Sequence, residues 1–245
     1  MTSRIVAEGL GIRFRRNRRR NNKLREVLLG AAPVVAKNEF WALQDVSFEV
    51  AEGEAVGLVG ANGQGKSTLL RLIAGVLVPD AGRVTVNGGV APLIEMTGGF
   101  VGELTARENI WLAAGLHGLS RRQIGERFDE IVEFAGVENF LDMPFRHFSS
   151  GMKVRLGFSV VTTLDEPIVL VDEVLAVGDR AFREKCYARM EELLSGGRTL
   201  FLVSHSQGDL RRFCKRGLYL RSGRLVADGP LEDALDKYLE DLERG

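Results

Sequence analysis

Residues 54–68 read EAVGLVGANGQGKST, a short apolar strand that runs directly into a glycine-rich turn. From Gly60 the turn fits the phosphate-loop pattern G-x-x-x-x-G-K-[ST], and residues 66–77 continue it with helical periodicity. Because such a loop directs backbone N–H groups and a helix N-terminus at phosphate oxygens, Lys66 is predicted to reach the β- and γ-phosphates and Ser67 to bind Mg²⁺. A glycine turn without a ligand is the alternative, and the flanking strand and helix count against it. The residues predicted to bind the phosphates are Gly60, Asn62, Gly63, Gly65, Lys66, Ser67 and Thr68.

Two later apolar runs also end in polar groups. IVLVDE (168–173) ends in Asp172, predicted to hold Mg²⁺ through water, and Glu173, predicted to orient or deprotonate the attacking water. Read alone, the two acids fit an acidic strand-to-loop turn equally well, and the phosphate loop upstream favours the catalytic reading. TLFLVSH (199–205) ends in His205, which is either a structural histidine or a γ-phosphate contact. Its place beside two phosphate-site motifs favours the contact.

A serine-glycine group, FSSGM (148–152), precedes a helical run. Serine and glycine at this position either cap an ordinary helix or form an anion site at its N-terminus. The residues alone leave both readings open.

Composition limits the class of protein. The chain has 245 residues, 45% of them apolar, which suits one large α/β domain with or without a helical insertion. Cys186 and Cys214 are not at metal-ligand spacing and are expected to be reduced, buried thiols. No signal peptide is evident and no run reaches about 18 apolar residues, so a membrane role would need a partner.

Periodicity predicts an α/β fold with a mostly parallel central sheet, an antiparallel β region and an inserted helical subdomain at about residues 90–163. The predicted strands are 4–14, 41–50, 54–60, 82–88, 167–173 and 199–205, with a hairpin at 217–229. The predicted helices are 66–77, 105–117, 120–135, 150–163 and the acidic closing helix 231–245.

Together these motifs resemble the ABC ATPase family over about residues 4–230. GANGQGKST resembles its Walker A motif, IVLVDE its Walker B motif with the catalytic glutamate, and FSSGM its signature. LAVGD (175–179) resembles the D-loop, which gives Asp179 a coupling role, and His205 resembles the switch histidine. The resemblance implies ATP and Mg²⁺ as ligands and a head-to-tail homodimer, in which Ser149, Ser150 and Gly151 contact the partner's ATP in trans.

Three sequence segments resemble one branch of this family in particular, the polysaccharide exporters: LIEMTGGF…ELTARENI, FSSGMKVRLGFSV and FWALQDVSFEV. This branch moves lipid-linked O-antigen, capsule, teichoic acid or galactan through an integral membrane permease. The resemblance implies a peripheral subunit at the cytoplasmic face of the inner or plasma membrane, with no nucleic-acid partner. Because the chain ends at residue 245, the carboxyl-terminal carbohydrate-binding domain of some members is expected to be absent.

Glu95 stands where most ABC ATPases carry a glutamine. A carboxylate cannot donate a hydrogen bond to phosphate, so Glu95 is expected to face Mg²⁺, water or a basic partner residue and to serve coupling. The alignment is ambiguous by one residue, so Met96 is the alternative for this position. Phe14 best fits the family's adenine-stacking aromatic, with Phe40 and Trp41 as alternatives.

Residues 15–37 form a basic insertion with a short amphipathic helix predicted from Leu24, Val27 and Leu28. No acid interrupts the cations Arg13, Arg15, Arg16, Arg18, Arg19, Arg20, Lys23 and Arg25. The segment is either a solvated face or, as we hypothesise, a guide for a lipid-linked, phosphate-bearing glycan.

Other functions stay in competition. A DNA-repair or translation ABC ATPase usually carries two such domains or a long coiled coil, and neither is visible here. An importer or a drug or lipid exporter would share every nucleotide motif. A P-loop kinase or GTPase would lack FSSGM before a helix and the TLFLVSH strand.

Overall fold

The computed structural model describes residues 2–15, 39–94, 96, 98–173 and 179–243. The strands are β1 (Ser3–Arg15), β2 (Glu39–Ala51), β3 (Ala55–Val59), β4 (Ala81–Val86), β5 (Val90–Leu93), β6 (Ile168–Asp172), β7 (Thr199–Val203), β8 (Arg216–Arg221) and β9 (Arg224–Pro230). The helices are α1 (Lys66–Ile73), α2 (Ala106–Leu116), α3 (Arg121–Ala135), α4 (Ser150–Thr162), α5 (Arg180–Ser195), α6 (Gln207–Phe213) and α7 (Leu231–Glu243), with 3₁₀ turns at Glu138–Phe140 and Phe145–His147.

Two sheets build the molecule. The larger has six strands in the order β5-β6-β7-β3-β8-β9, parallel except for the antiparallel β8–β9 pair, and the smaller is antiparallel in the order β2-β1-β4. The predicted α/β fold class is therefore confirmed. β7 lies between β3 and β6, so the ends of these three strands, which precede the predicted site residues, meet at one edge of the sheet.

Three apolar clusters hold these layers together. One joins the two sheets around α1 and includes Leu43, Leu58 and Phe201. A second lies on the other face of the large sheet, where α4 to α7 pack, and includes both cysteines. Burial raises the pKa of Cys186 and Cys214 to about 12, which agrees with the prediction of buried thiols. The third cluster joins α2, α3 and α4.

The helical layer begins later than predicted. Val90–Leu93 falls within the helical subdomain predicted at about 90–163 but forms β5, which pairs in parallel with β6. β5 is an edge strand of four residues and contains Pro92, which an edge position tolerates because no neighbour needs its missing N–H. The helical layer itself therefore comprises α2, α3 and α4.

α1 also ends earlier than periodicity predicted, at Ile73 rather than at residue 77. Gly75 takes a φ of 71°, and the Val76 and Gly75 N–H groups donate to the Arg71 and Leu72 carbonyls at 2.9 and 3.1 Å. This is a Schellman ending, which satisfies the last carbonyls of the helix and turns the chain away.

The β1–β2 ribbon carries the basic insertion. Its last register pair is Arg15 opposite Glu39, whose side chains form an ion pair at 2.9 Å. Arg13 also contacts Glu39, at 3.5 Å. No acid lies between these cations in sequence, but Glu39, from a strand distant in sequence, opposes Arg13 and Arg15, so a prediction of eight unopposed cations is wrong for these two. The other six, and the predicted amphipathic helix, lie outside the described residues.

Candidate active site

The phosphate loop follows β3 and leaves no room for side chains at two of its glycines. A Cβ on Gly60 would lie 2.5 Å from the Leu220 carbonyl oxygen. Gly65, with φ 103°, would place a Cβ 2.6 Å from the Ala42 carbonyl oxygen. The loop is thus packed against β2 and β8, and only glycine permits this approach.

Lys66 is the first residue of α1, and its side chain folds back along the loop. Its Nζ donates to the Gly60 and Ala61 carbonyls at 2.7 and 3.0 Å, and the residue is only 6% exposed. Burial lowers the pKa of Lys66, and the nearby Glu173 and Asp172 oppose that shift. The ammonium is thereby held at the mouth of the loop, bound to neutral carbonyls that a phosphate can replace.

Asp172 ends β6 beside the phosphate loop, as predicted. Burial raises its pKa above the ordinary carboxyl value, while a hydrogen bond from Ser67 and the charge of Lys66 act in the opposite direction. A carboxylate and a hydroxyl that already touch each other are oxygen donors of the kind Mg²⁺ prefers, so these residues fit the metal. Within the described ranges no three His, Cys, Asp or Glu side chains cluster as a metal site.

Glu173 and His205 form the other half of the site. His205 Nε2 lies 2.7 Å from Glu173 Oε1, and both side chains remain about half accessible to solvent, at 43% and 49%. The Glu173 backbone has a φ of 58°, an uncommon conformation for a non-glycine residue, and its N–H donates to Val203 O at 2.9 Å. A strained backbone at this point directs the carboxylate to the end of β7, where His205 follows.

The serine-glycine group lies on the helical layer, at the N-terminus of α4. Ser149 is the N-cap, and its Oγ accepts from the Met152 N–H at 3.2 Å. Ser149 and Ser150 are exposed and Gly151 is half-buried. Farther along the helix, Arg155 forms an ion pair with Asp179, the N-cap of α5.

The aromatic candidates for adenine divide between two faces of the β1–β2 ribbon. Phe14 is opposite Phe40, with ring centroids 6.2 Å apart, while Trp41 is opposite Arg13, whose guanidinium carbon lies 5.1 Å from the ring centroid. Because neighbouring residues on a strand point to opposite faces, the phenylalanine pair and Trp41 offer two separate surfaces. All three are partly exposed.

Glu95 and residues 175–178 of the D-loop lie outside the described residues. Met96, the alternative to Glu95, is 9% exposed and packs in the core cluster under α4, where a Cβ on Gly157 would meet its carbonyl oxygen at 2.2 Å. A buried side chain in this cluster does not suit a nucleotide contact.

Sequence reasoning missed two sets of supporting residues. The Ser222 N–H, in the β8–β9 turn, donates to the Gln64 side chain of the phosphate loop. Asp209, four residues after His205, accepts hydrogen bonds from Tyr187 and Ser204. The Ser222–Gln64 and Tyr187–Asp209 contacts have no local motif, because each joins segments that meet only in the folded chain.

Comparison with known proteins gives a consistent result. Residues 43–176 match the model of the ABC transporter family. The chain is 46% identical over 200 residues to the O-antigen export system ATP-binding protein RfbB of Klebsiella pneumoniae, covering 82% of this chain and 81% of that protein. It is 42% identical over 204 residues to the teichoic acids export ATP-binding protein TagH of Bacillus anthracis, covering 83% of this chain and 37% of that protein.

Solved structures share the fold. An ATP-binding subunit of an ABC transporter superposes with a TM-score of 0.76 and 26% identity, covering 98% of this chain and 99% of the other. A dimeric ATP-binding cassette, bound to ADP and phosphate after hydrolysis, superposes with a TM-score of 0.75 over 93% of this chain and 98% of the other. Its identity of 20% makes the second likeness one of fold alone.

Proposed function

The chain belongs to the ABC transporter family, and from that we propose that it is the ATP-hydrolysing subunit of an exporter for a lipid-linked polysaccharide. The observation that supports ATP hydrolysis is that the carboxyl ends of β3, β6 and β7 lie together at one edge of the large sheet. Lys66 follows β3, Asp172 ends β6 with Glu173 directly after it, and His205 follows β7. A cation, a metal-binding carboxylate and a base are the groups that ATP hydrolysis needs in one place.

Each group has a distinct part in the proposed reaction. The loop N–H groups and Lys66 bind the β- and γ-phosphates, while Ser67 and Asp172 would hold Mg²⁺, which neutralises phosphate charge when bound. Glu173 orients the attacking water and accepts its proton as the water oxygen adds to the γ-phosphorus and the bond to ADP breaks. His205, within hydrogen-bond distance of Glu173, positions that carboxylate and is placed to contact the γ-phosphate.

We propose that the second copy of the chain completes the site. The exposed N-terminus of α4, with Ser149, Ser150 and Gly151, has the geometry of an anion site and lies on the helical layer. In a head-to-tail homodimer it would face the partner's γ-phosphate. The Arg155–Asp179 ion pair supports a coupling role for Asp179, because it ties this helix to the end of the D-loop. Glu95 remains a coupling residue proposed from the sequence alone.

The transported substrate is proposed from the relatives. One relative is named as the ATP-binding protein of an O-antigen export system, and the other as a teichoic acids export ATP-binding protein. An export system of this kind implies an integral membrane permease, on whose cytoplasmic face we place this chain as a peripheral subunit. Across the described ranges, no helix is long and apolar enough to cross a bilayer.

Glu173→Gln tests the proposed reaction. An amide cannot accept the proton of the attacking water, so phosphate release should fall by about 10²–10⁴-fold. ATP binding should persist because the phosphate loop is unchanged, and glycan export by the complete transporter should stop. Phosphate release and nucleotide binding are measured on the purified subunit, and export in cells that carry the variant.

Glu138→Gln is the matched control, since Glu138 is an exposed carboxylate on a 3₁₀ turn of the helical layer. It should leave hydrolysis unchanged. Phosphate release by Glu173→Gln at the wild-type rate would remove Glu173 from the catalytic role. If Glu173→Gln abolishes hydrolysis while glycan export stays normal, the proposed ATPase activity stands but the proposed glycan substrate does not. The chain would then serve another class of transporter, such as an importer or a drug or lipid exporter.

A further inference from the structure

Asp209 is a buried carboxylate near the active site to which the reaction above assigns no part. It belongs to α6 and is 7% exposed. Burying such a group is costly unless hydrogen bonds compensate, and two side chains provide them. The Tyr187 hydroxyl donates to Oδ1 at 2.7 Å, and the Ser204 hydroxyl donates to Oδ2 at 3.4 Å.

These hydrogen bonds converge on the segment that carries His205. Ser204 and Ser206 flank the histidine on either side. The Ser204 Oγ accepts from the Ser206 N–H at 3.0 Å, and the Ser206 Oγ accepts from the Asp209 N–H at 3.2 Å. Residues 204–206 are therefore held in a tight turn by the Ser206–Ser204 hydrogen bond. Both serines of this turn are also hydrogen-bonded to Asp209 in the first turn of α6.

Tyr187 extends the network to a second helix. It lies on α5, with its ring packed against Phe213 at 5.8 Å between centroids and beneath the Arg212 guanidinium at 4.4 Å. Burial, followed by the hydrogen bond to Asp209, raises the pKa of Tyr187 to about 12, so its hydroxyl keeps the proton it donates. The network thus runs from α5 through a carboxylate to the strand end that presents the histidine.

We propose that Asp209 is a positioning residue for His205: it holds the Ser204–Ser206 segment through the Ser204 hydroxyl, while Tyr187 fixes its carboxylate from α5. The histidine is thereby kept within hydrogen-bond distance of Glu173, at 2.7 Å. This inference rests on the ATPase activity proposed above. It adds that the geometry of the Glu173–His205 pair depends on groups that touch neither nucleotide nor metal.

Tyr187→Phe is the primary test, because it removes one hydroxyl and keeps the ring and its packing. Loss of the hydrogen bond should lower kcat by about tenfold, while KM for ATP and nucleotide affinity stay unchanged because the phosphate loop is untouched. Ser204→Ala removes the other partner of Asp209 and should act in the same direction. Asp209→Asn completes the series where it yields folded protein.

Tyr219→Phe is the matched control. The pKa of Tyr219 is likewise raised to about 12, and its hydroxyl donates to an aspartate, Asp241 on α7, at 2.9 Å. Its loss should cost stability much as the loss of the Tyr187 hydroxyl does and should leave kcat unchanged. A comparison of the two variants therefore separates positioning of His205 from general stabilisation.

Two further measurements show whether the effect passes through His205. The chain has three histidines, so the imidazole resonances can be followed individually by NMR. Tyr187→Phe should shift those of His205 and leave those of His117 and His147 in place. Any hydrolysis that remains in His205→Ala should not fall further when Tyr187→Phe is added.

The inference is overturned by an unchanged kcat in Tyr187→Phe, by an equal loss in Tyr219→Phe, or by unchanged His205 resonances. Each of these results is obtained against a wild-type subunit that hydrolyses ATP. Absence of hydrolysis by the wild-type subunit would instead contradict the proposed function, so the two failures are distinguishable.

Discussion

Asp172 is half-buried at the end of β6, and burial is the largest reason that its pKa lies above the ordinary value of 3.8. A carboxyl whose pKa is higher in the folded protein than in the unfolded chain makes folding less favourable once it is ionised. This cost is present in full above the folded pKa and disappears as the pH falls toward the ordinary value. The carboxylate proposed to bind Mg²⁺ is therefore one that destabilises the folded protein when no metal is bound.

Asp172→Asn should raise the melting temperature of the subunit at neutral pH without Mg²⁺, because the amide keeps the shape of the side chain and removes the charge. The difference from wild type should shrink as the pH is lowered through the raised pKa of Asp172. With ATP present, Mg²⁺ should raise the melting temperature of wild type and have little effect on the variant. Thermal unfolding from pH 8 to about pH 4 measures all three effects.

Asp142→Asn serves as the comparison. Asp142 is exposed and forms a surface ion pair with Arg107 at 3.0 Å, an interaction worth little in water. It should not raise the melting temperature at any pH. A variant at Asp172 that melts below wild type at neutral pH without Mg²⁺ would mean that the carboxylate stabilises the fold, contrary to this account.

α4 connects the helical layer to the rest of the molecule. Leu156 and Val160 pack in the cluster with α2 and α3, whereas Phe158 and Val161 pack in the cluster under the central sheet. Movement of the helical layer must therefore carry the α4 N-terminus with it. That N-terminus presents the serines proposed to bind the partner's ATP.

Ser149→Ala removes a hydroxyl that caps α4 and is proposed to contact ATP in trans. Loss of the capping hydrogen bond should lower the free energy of unfolding by about 1 kcal/mol. Nucleotide binding to the monomer should be unchanged, since the phosphate loop of the same chain is intact. In the Glu173→Gln background, which should accumulate an ATP-bound dimer, the variant should stay monomeric by light scattering.

Ser120→Ala distinguishes capping from the contact in trans. Ser120 caps α3 in a similar way, and its Oγ accepts from the Gln123 N–H at 3.4 Å. The variant should lose a comparable amount of stability and still dimerise with ATP. If, in the Glu173→Gln background, Ser149→Ala forms ATP-bound dimers as stable as those of Ser120→Ala, then Ser149 only caps its helix and makes no contact in trans.

The predictable parts of this protein are those encoded in contiguous residues. The phosphate loop, Asp172 and Glu173 each follow an apolar strand, so local pattern was sufficient to predict where they lie. β5 is not predictable in this way, because four residues that include a proline carry little strand signal. The contact between Tyr187 and Asp209 depends on how α5 packs against α6, and that packing is decided by the whole core rather than by either segment.

The whole molecule combines zero formal net charge with a strongly basic segment at one end of the β1–β2 ribbon. The ribbon brings Arg15 and Glu39 together, so residues 16–38 leave and re-enter the described fold at neighbouring points. Two acids already oppose the two arginines at this end of β1, because Glu39 pairs with both Arg15 and Arg13 and Asp80 lies 4.0 Å from Arg13. The charge available for an anionic partner is therefore that of the following arginines and lysine, as read from the sequence.

Replacing Arg16, Arg18, Arg19 and Arg20 with alanine should reduce glycan export and leave ATP hydrolysis by the isolated subunit near normal. The physical reason is that clustered cations attract phosphate and anionic headgroups, at about 1 kcal/mol each near a membrane surface, and take no part in the phosphate loop. Lysine at the same four positions keeps the charge and should retain much of the export. Export is measured as surface glycan, and hydrolysis as phosphate release. Normal export by the alanine variant would contradict a guiding role, and equal failure of the lysine variant would show that charge alone is insufficient.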